Sequence, residues 1–211
     1  MIILFDLDGT LIDSTEAILE SFHNSFDVFY DEHPSNEAIK ALIGYPLDVM
    51  YKELGVSEEK VWDYVDAYKK YYRVISREKT ELLLNAKESV ILASQIAEIG
   101  IVTTKTGKYS QILMEHFGIM DYFKVLIGRE DVENPKPDAE PILKALQSFD
   151  ENDKEIWMIG DTKLDLISAK NAGVNCIGVL SGYDSLAVLQ EHTNHIFETA
   201  LDAIKYLQNR K

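Results

Sequence analysis

A single cysteine, Cys176, stands in 211 residues, so no internal disulfide framework can staple this chain, and the usage suits a reducing, cytoplasmic setting. Cations are scarce as well: 21 Lys and Arg face 36 Asp and Glu, a formal net charge of −15. Such a surface repels phosphate backbones and anionic headgroups, which argues against nucleic acid and membrane surfaces as partners. An anionic small molecule could bind only where positive charge is supplied locally. The first 39 residues sharpen the point, with nine acids and no Lys or Arg. Long apolar runs are missing too. The opening Met1-Ile2-Ile3-Leu4-Phe5 stops at Asp6, far short of the ~20 residues a membrane helix needs. It carries neither a basic lead nor a small-residue cleavage site, so a targeting segment is not expected. With five prolines, no Gly/Ser tract and no internal repeat, linkers do not announce themselves. What remains is ordinary globular material, 46% hydrophobic and 27% charged, of a length that suits one domain carrying an insertion.

The order of elements is legible from periodicity. Met1 to Leu7 lacks helical spacing and predicts a strand buried on both faces. From Ser14 to about Thr80 the spacing turns helical, with Ala17, Ile18, Ser21, Phe22 and Phe26 in one stripe and Val61, Tyr64, Tyr68 and Tyr72 in another. Breaks at His33-Pro34-Ser35, Gly44-Tyr45-Pro46 and Gly55-Val56-Ser57 divide this block into about four helices, with Ser35 and Ser57 as expected N-caps. After Thr80, strands ending at Thr103, Ile127, Ile159 and Leu180 alternate with helices near 85–94, 107–117, 138–146, 164–172 and 201–207. That alternation predicts an α/β fold, a Rossmann-like doubly wound parallel sheet with helices on both faces. The core would comprise 1–13 and 81–211, with a helical insertion at 14–80. In such sheets ligands bind outside the carboxyl ends of the strands.

The chemistry-bearing residues fall at those ends. Asp6-Leu7-Asp8-Gly9-Thr10 follows the first strand directly. Two carboxylates at i and i+2 project to one side of an extended backbone and repel one another unless a cation intervenes. One then suits a metal-bound nucleophile and the other a general acid and base. Gly9 permits a sharp turn, and the N–H groups around Gly9 and Thr10 are expected to receive phosphate oxygens. Thr103-Thr104-Lys105 puts hydroxyls where a strand gives way to a helix N-terminus, an expected anion seat. Lys136 stands between Pro135 and Pro137. Gly160-Asp161-Thr162-Lys163-Leu164-Asp165 follows the last clear strand and sets two carboxylates a helical turn apart. Each fragment alone reads equally well as a turn or a cap. Together they bring carboxylates, a hydroxyl and an ammonium to one sheet edge, a set suited to hard Mg2+ and to phosphoryl transfer through an aspartyl nucleophile.

The set Asp6-x-Asp8-Gly9-Thr10, Thr103, Lys136-Pro137 and Gly160-Asp161-x-x-x-Asp165 resembles the four motifs of the haloacid dehalogenase superfamily, in family order and over nearly the whole chain. The insertion after the first motif resembles the type 1 helical cap of phosphoglycolate phosphatases and β-phosphoglucomutases. The resemblance implies that Asp6 is the nucleophile and Asp8 the acid/base, Asp8 also offering its backbone carbonyl to Mg2+. It implies further that Thr103 and Lys136 hold the phosphoryl group, that Asp161 ligates the metal and that Asp165 stands behind it. Asp at position 8 resembles phosphatases and mutases rather than dehalogenases. Two departures stand out: Ala139 replaces the second proline of Lys-Pro-x-Pro, and Thr104 offers a hydroxyl next to Thr103.

The implied activity is Mg2+-dependent hydrolysis of a small phosphorylated metabolite, a phosphoglycolate-like monoester. The alternatives within the superfamily are a phosphomutase, a pyrophosphatase or a nucleotidase. A phospho-receiver is disfavoured, because its acceptor Asp ends a later strand and no cap is inserted. Other features carry no chemistry. Cys176 reads as a core residue without a thiolate-loop arginine. Thr106-Gly107-Lys108 lacks the first glycine and the Ser/Thr of a P-loop. His23, His33, His116, His192 and His195 have no ligand spacing. Tyr64, Tyr68, Tyr71 and Tyr72 read as helix packing.

Overall fold

The computed structural model describes residues 1–150 and 154–210. The chain opens with β1 (Ile2–Phe5), buried at every residue, as a strand covered on both faces must be. β2 (Ile12–Asp13), α1 (Thr15–Phe29), α2 (Asn36–Lys40), α3 (Leu47–Glu53), α4 (Val61–Ile75) and β3 (Glu81–Leu82) follow. From there strands and helices alternate: α5 (Ala86–Ile96), β4 (Glu98–Val102), α6 (Gly107–His116), β5 (Phe123–Ile127), α7 (Glu140–Leu146), β6 (Ile156–Gly160), α8 (Lys163–Asn171), β7 (Asn175–Val179), α9 (Leu186–Gln190), β8 (Ile196–Phe197) and α10 (Ala200–Gln208). By its contacts the chain divides into two compact units, Met1–Asp13 with Leu82–Lys211, and Ser14–Glu81.

The first unit is built on a six-stranded sheet in the order β5-β4-β1-β6-β7-β8, with every pairing parallel. Side chains alternate across it. Ile3, Phe5, Ile99, Ile101, Trp157 and Ile159 pack with Val90 of α5, Leu113 of α6 and Ile204 of α10. Ile2, Leu4, Val102 and Met158 pack on the other face with Ile142 of α7 and Ala169 of α8. Apolar burial of this kind stabilises by roughly 25 cal/mol per Å2, and here it holds β1 between β4 and β6. Register then matters: Phe5 lies level with Ile101 on one side and Ile159 on the other. The residues that follow these three strands therefore emerge side by side.

The helical unit rests on α1 against α4. Phe22 meets Tyr51 at 4.7 Å and Tyr68 at 5.1 Å between ring centroids, and Phe29 stacks on Tyr64 at 4.3 Å. The Ser25 hydroxyl is bonded to the Tyr51 hydroxyl at 2.7 Å, so the polar end of Tyr51 is satisfied. Tyr64, Tyr68 and Tyr72 are buried, whereas Tyr71 lies on the outer side among the residues lining a groove with Val28 and Val74.

Several expectations need correcting. Ser35 caps α2 through its hydroxyl, but Ser57 caps nothing: its carbonyl closes a turn with Lys60 N–H, and α4 starts at Val61. The helix expected from Asp138 starts at Glu140, because the Asp138 N–H is spent on the Pro135 carbonyl and its carboxylate accepts from Glu140 N–H. α9 and β8 were not legible, being only five and two residues long. Glu98, an awkward charge for a strand, begins β4 and is paired with Lys124 and Lys154, which hold its carboxyl down to about 2. Among the described residues, no helix is long and apolar enough to cross a membrane.

Candidate active site

Because β1 sits between β4 and β6, Asp6, Thr103 and Asp161 follow three adjacent strand ends. Lys136 arrives from the loop between β5 and α7, whose approach is stapled by Glu140: its carboxylate accepts from Glu133 N–H at 2.9 Å and Asn134 N–H at 2.8 Å. Lys136 is 3% exposed and donates to Asp6 Oδ1 at 2.8 Å, Asp165 Oδ1 at 2.5 Å and the Val102 carbonyl at 3.1 Å. All three ammonium protons are thereby engaged. Asp165 places its other oxygen on the Thr162 N–H at 3.1 Å and hydroxyl at 2.7 Å, which also caps α8. Asp161 accepts from the Thr10 hydroxyl at 3.0 Å and from the Tyr183 N–H at 2.9 Å.

The electrostatics are unbalanced. Asp6, Asp161 and Asp165 each offer an oxygen within 4.8 Å of the others, and all three are buried. Burial raises the Asp6 carboxyl to about 7, with Lys136 opposing the rise and Asp165 adding to it. Burial, then Asp165 and Asp6, push Asp161 up as well. Burial works against the Lys136 charge, yet Asp165 and Asp6 overrule it and hold the ammonium above its ordinary range. Three carboxylates against one ammonium leave a net negative site of hard oxygens, which fits a divalent cation such as Mg2+. Asp6 and Asp161 could hold such an ion; Asp165 is committed to Lys136 and Thr162 and stands behind them. Asp8 is not in that cluster. Its carboxylate is paired with Lys105 Nζ at 2.9 Å.

Two expectations fail here. The N–H groups of the first turn do not point outward: Gly9 N–H donates to the Ile12 carbonyl at 2.8 Å and Thr10 N–H to the Leu7 carbonyl at 3.1 Å. Gly9 and Thr10 thus support Asp161 rather than receive phosphate. At φ +79°, a Cβ on Gly9 would lie 2.3 Å from Asp161 Oδ2, and the Thr10 hydroxyl is already given to that carboxylate. Nor is the start of α6 an open anion seat, since Glu130 accepts from Gly107 N–H at 2.9 Å and Lys108 N–H at 3.4 Å. Thr103 is buried and its hydroxyl accepts from Lys105 N–H at 3.1 Å, its own proton not being spent in that contact. Thr104 is half-buried beside it.

Sequence reasoning missed the loop after β7. Ser181 donates to the Gly9 carbonyl at 2.8 Å, Tyr183 N–H binds Asp161, and Asp184 accepts from Lys163 N–H at 2.6 Å. A Cβ on Gly182 would stand 2.0 Å from Asp161 Oδ2. The signal was present: Ser181-Gly182 follows the strand ending at Val179, as the other motifs follow theirs.

Known proteins resemble this chain in sequence and in fold. Residues 3–179 match the family model described as haloacid dehalogenase-like hydrolase. A protein of Halalkalibacterium halodurans named pyrophosphatase PpaX is 36% identical over 82% of this chain and 80% of its own. A hydrolase of the haloacid dehalogenase-like family from Streptococcus pneumoniae superposes with a TM-score of 0.87 at 26% identity, over 98% of each chain. A structure from Haemophilus somnus 129pt, named a predicted phosphoglycolate phosphatase, gives 0.89 at 25% identity over 98% of this chain and 97% of its own. The two solved structures share the parallel sheet flanked by helices, and the chain belongs to the haloacid dehalogenase-like hydrolase family.

Proposed function

We propose that this protein is a Mg2+-dependent phosphatase that hydrolyses a small phosphorylated metabolite through an aspartyl-phosphate on Asp6. The observation that carries the reading is the buried group Asp6–Lys136–Asp165 with Asp161 at adjacent strand ends. An Asp6 oxygen attacks phosphorus, and the bond to the leaving oxygen breaks as Asp8 donates a proton to it. Asp8 then takes a proton from water, whose oxygen attacks the phosphoryl group and frees Asp6 and inorganic phosphate. Thr103 and Thr104 receive phosphoryl oxygens, and Lys136 keeps Asp6 oriented while its charge faces the group transferred. Bound Mg2+ supplies positive charge against the negative charge developing on those oxygens. The helical unit is read as the cap that chooses the substrate, and the unpaired Cys176 suits a reducing compartment.

A phosphoglycolate-like monoester is the first substrate reading. Pyrophosphate is the second, favoured by the relative named pyrophosphatase PpaX. The test is release of inorganic phosphate from phosphoglycolate, hexose phosphates, nucleotides and pyrophosphate with Mg2+, run beside Asp6→Asn. Turnover in the wild type, with a phosphoenzyme trapped by acid quench and none in Asp6→Asn, is expected. Near-normal rates in Asp6→Asn would overturn the mechanism.

A further inference from the structure

We propose that Lys105 is a specificity-determining residue that binds an anionic leaving group, so the preferred substrates carry a second negative charge, carboxylate or phosphate, beyond the phosphoryl group that is cut. The inference rests on Asp6 and Asp8 acting as nucleophile and acid/base.

Position is the first argument. Lys105 follows Thr103-Thr104 after β4, and its Nζ lies 2.9 Å from Asp8 Oδ2, with side chains only 10% and 13% exposed. A general acid must come within about 2.6–3.2 Å of the oxygen it protonates. The atoms of the leaving group therefore extend past Asp8, within reach of an ammonium on a flexible four-carbon stem. Charge is the second argument. Lys136 has its three protons on Asp6, Asp165 and the Val102 carbonyl, deep beside the phosphoryl end. It cannot serve a leaving group on the Asp8 side. Without Lys105, an anionic leaving group would face Asp8 and Asp6 uncompensated. With it, the ammonium 2.9 Å from Asp8 is placed to pair with the substrate anion. The third argument is energetic. Burying a Lys–Asp pair gains little stability once desolvation is counted, so a nearly buried cation at this spot has its use in binding. The competing carboxylate in the turn after β5, Glu130, is occupied by Gly107 and Lys108 N–H.

The experiment compares kcat/KM for phosphoglycolate and pyrophosphate with that for p-nitrophenyl phosphate, whose leaving group has no anion beside the cleaved ester, in wild type, Lys105→Met, Lys105→Gln and Lys105→Arg. Expected is a loss on an anionic substrate about 10–100-fold greater than on the aryl phosphate, the range of a charge-assisted hydrogen bond, in both neutral variants. Lys105→Arg should recover most of it. A selective loss on phosphoglycolate identifies a carboxylate as the anion, and one on pyrophosphate a phosphate. Equal losses on all substrates, or none, overturn the proposal, the former leaving Lys105 as a residue that merely positions Asp8. If the wild type turns over no phosphate compound at all, the parent reading falls and takes this one with it.

Discussion

Replacing Asp6 by Asn should abolish turnover and yet stabilise the metal-free protein. The Asp6 carboxyl titrates near 7 in the fold against an ordinary 3.8, a rise of about three pH units caused first by burial, with Asp165 adding to it and Lys136 opposing it. A carboxyl raised in this way costs nothing when protonated in both states and costs most above its folded pKa. Stability is therefore lost as pH climbs from about 4 to 7. At 1.36 kcal/mol per unit, the loss at pH 8 comes to about 4 kcal/mol. Asn still accepts from Lys136 Nζ but carries no charge to desolvate. Asp161 is raised chiefly by burial and Asp165, and by Asp6 in part, so loss of the Asp6 charge relieves Asp161 as well and adds to the gain. Urea denaturation in excess chelator at pH 8 and pH 5.5 makes the measurement, with slopes compared to confirm two-state behaviour. The Asn variant should gain about 4 kcal/mol at pH 8, and about 2 kcal/mol less at pH 5.5. An Asn variant equal to or weaker than wild type at pH 8 would refute the charge imbalance on which the metal reading rests.

The same imbalance predicts that Mg2+ raises the unfolding midpoint more at pH 8 than at pH 5.5, and that chelation abolishes turnover with Mg2+ restoring it better than Ca2+; full activity in excess chelator sinks the metal requirement. Asp8→Asn should slow both halves of the cycle by ~10²–10⁴-fold, with an aryl phosphate of low leaving-group pKa rescuing the first half. A burst of aryl alcohol in stopped flow followed by slow turnover is expected, and an unaffected rate on a poor leaving group moves the acid elsewhere. Gly182→Ala drives a Cβ to within 2.0 Å of Asp161 Oδ2, so it should cost about 1–3 kcal/mol by overpacking and raise the Mg2+ concentration needed for half-maximal rate. Gly173→Ala is the control for destabilisation that crowds no side chain: its Cβ meets nothing within 4 Å, but φ +70° strains it; equal Mg2+ requirements in the two variants count against the role of the loop after β7.

Local rules made much of this protein legible. The unbroken apolar run of β1, the 3.6-residue stripes of α1 and α4, and the alternation after Thr80 are properties of short windows, and burial on one or both faces enforces them. Asp6, Asp8, Thr103, Lys136, Asp161 and Asp165 could be picked out because each follows a strand or a turn next to one, and parallel sheets gather such positions at one edge. Short elements escaped: α9 and β8 carry too few residues for any period, and exist because neighbours cover them. What only the tertiary structure decided is which group answers which. That Glu130 closes α6, that Gly9 and Thr10 serve Asp161, that Lys136 bonds Asp6 and Asp165 together, and that Lys105 faces Asp8 depend on partners 23 to 151 residues apart. No spacing rule reaches that far, because the strand order β4-β1-β6 that brings them together is set by how both faces of the sheet are buried.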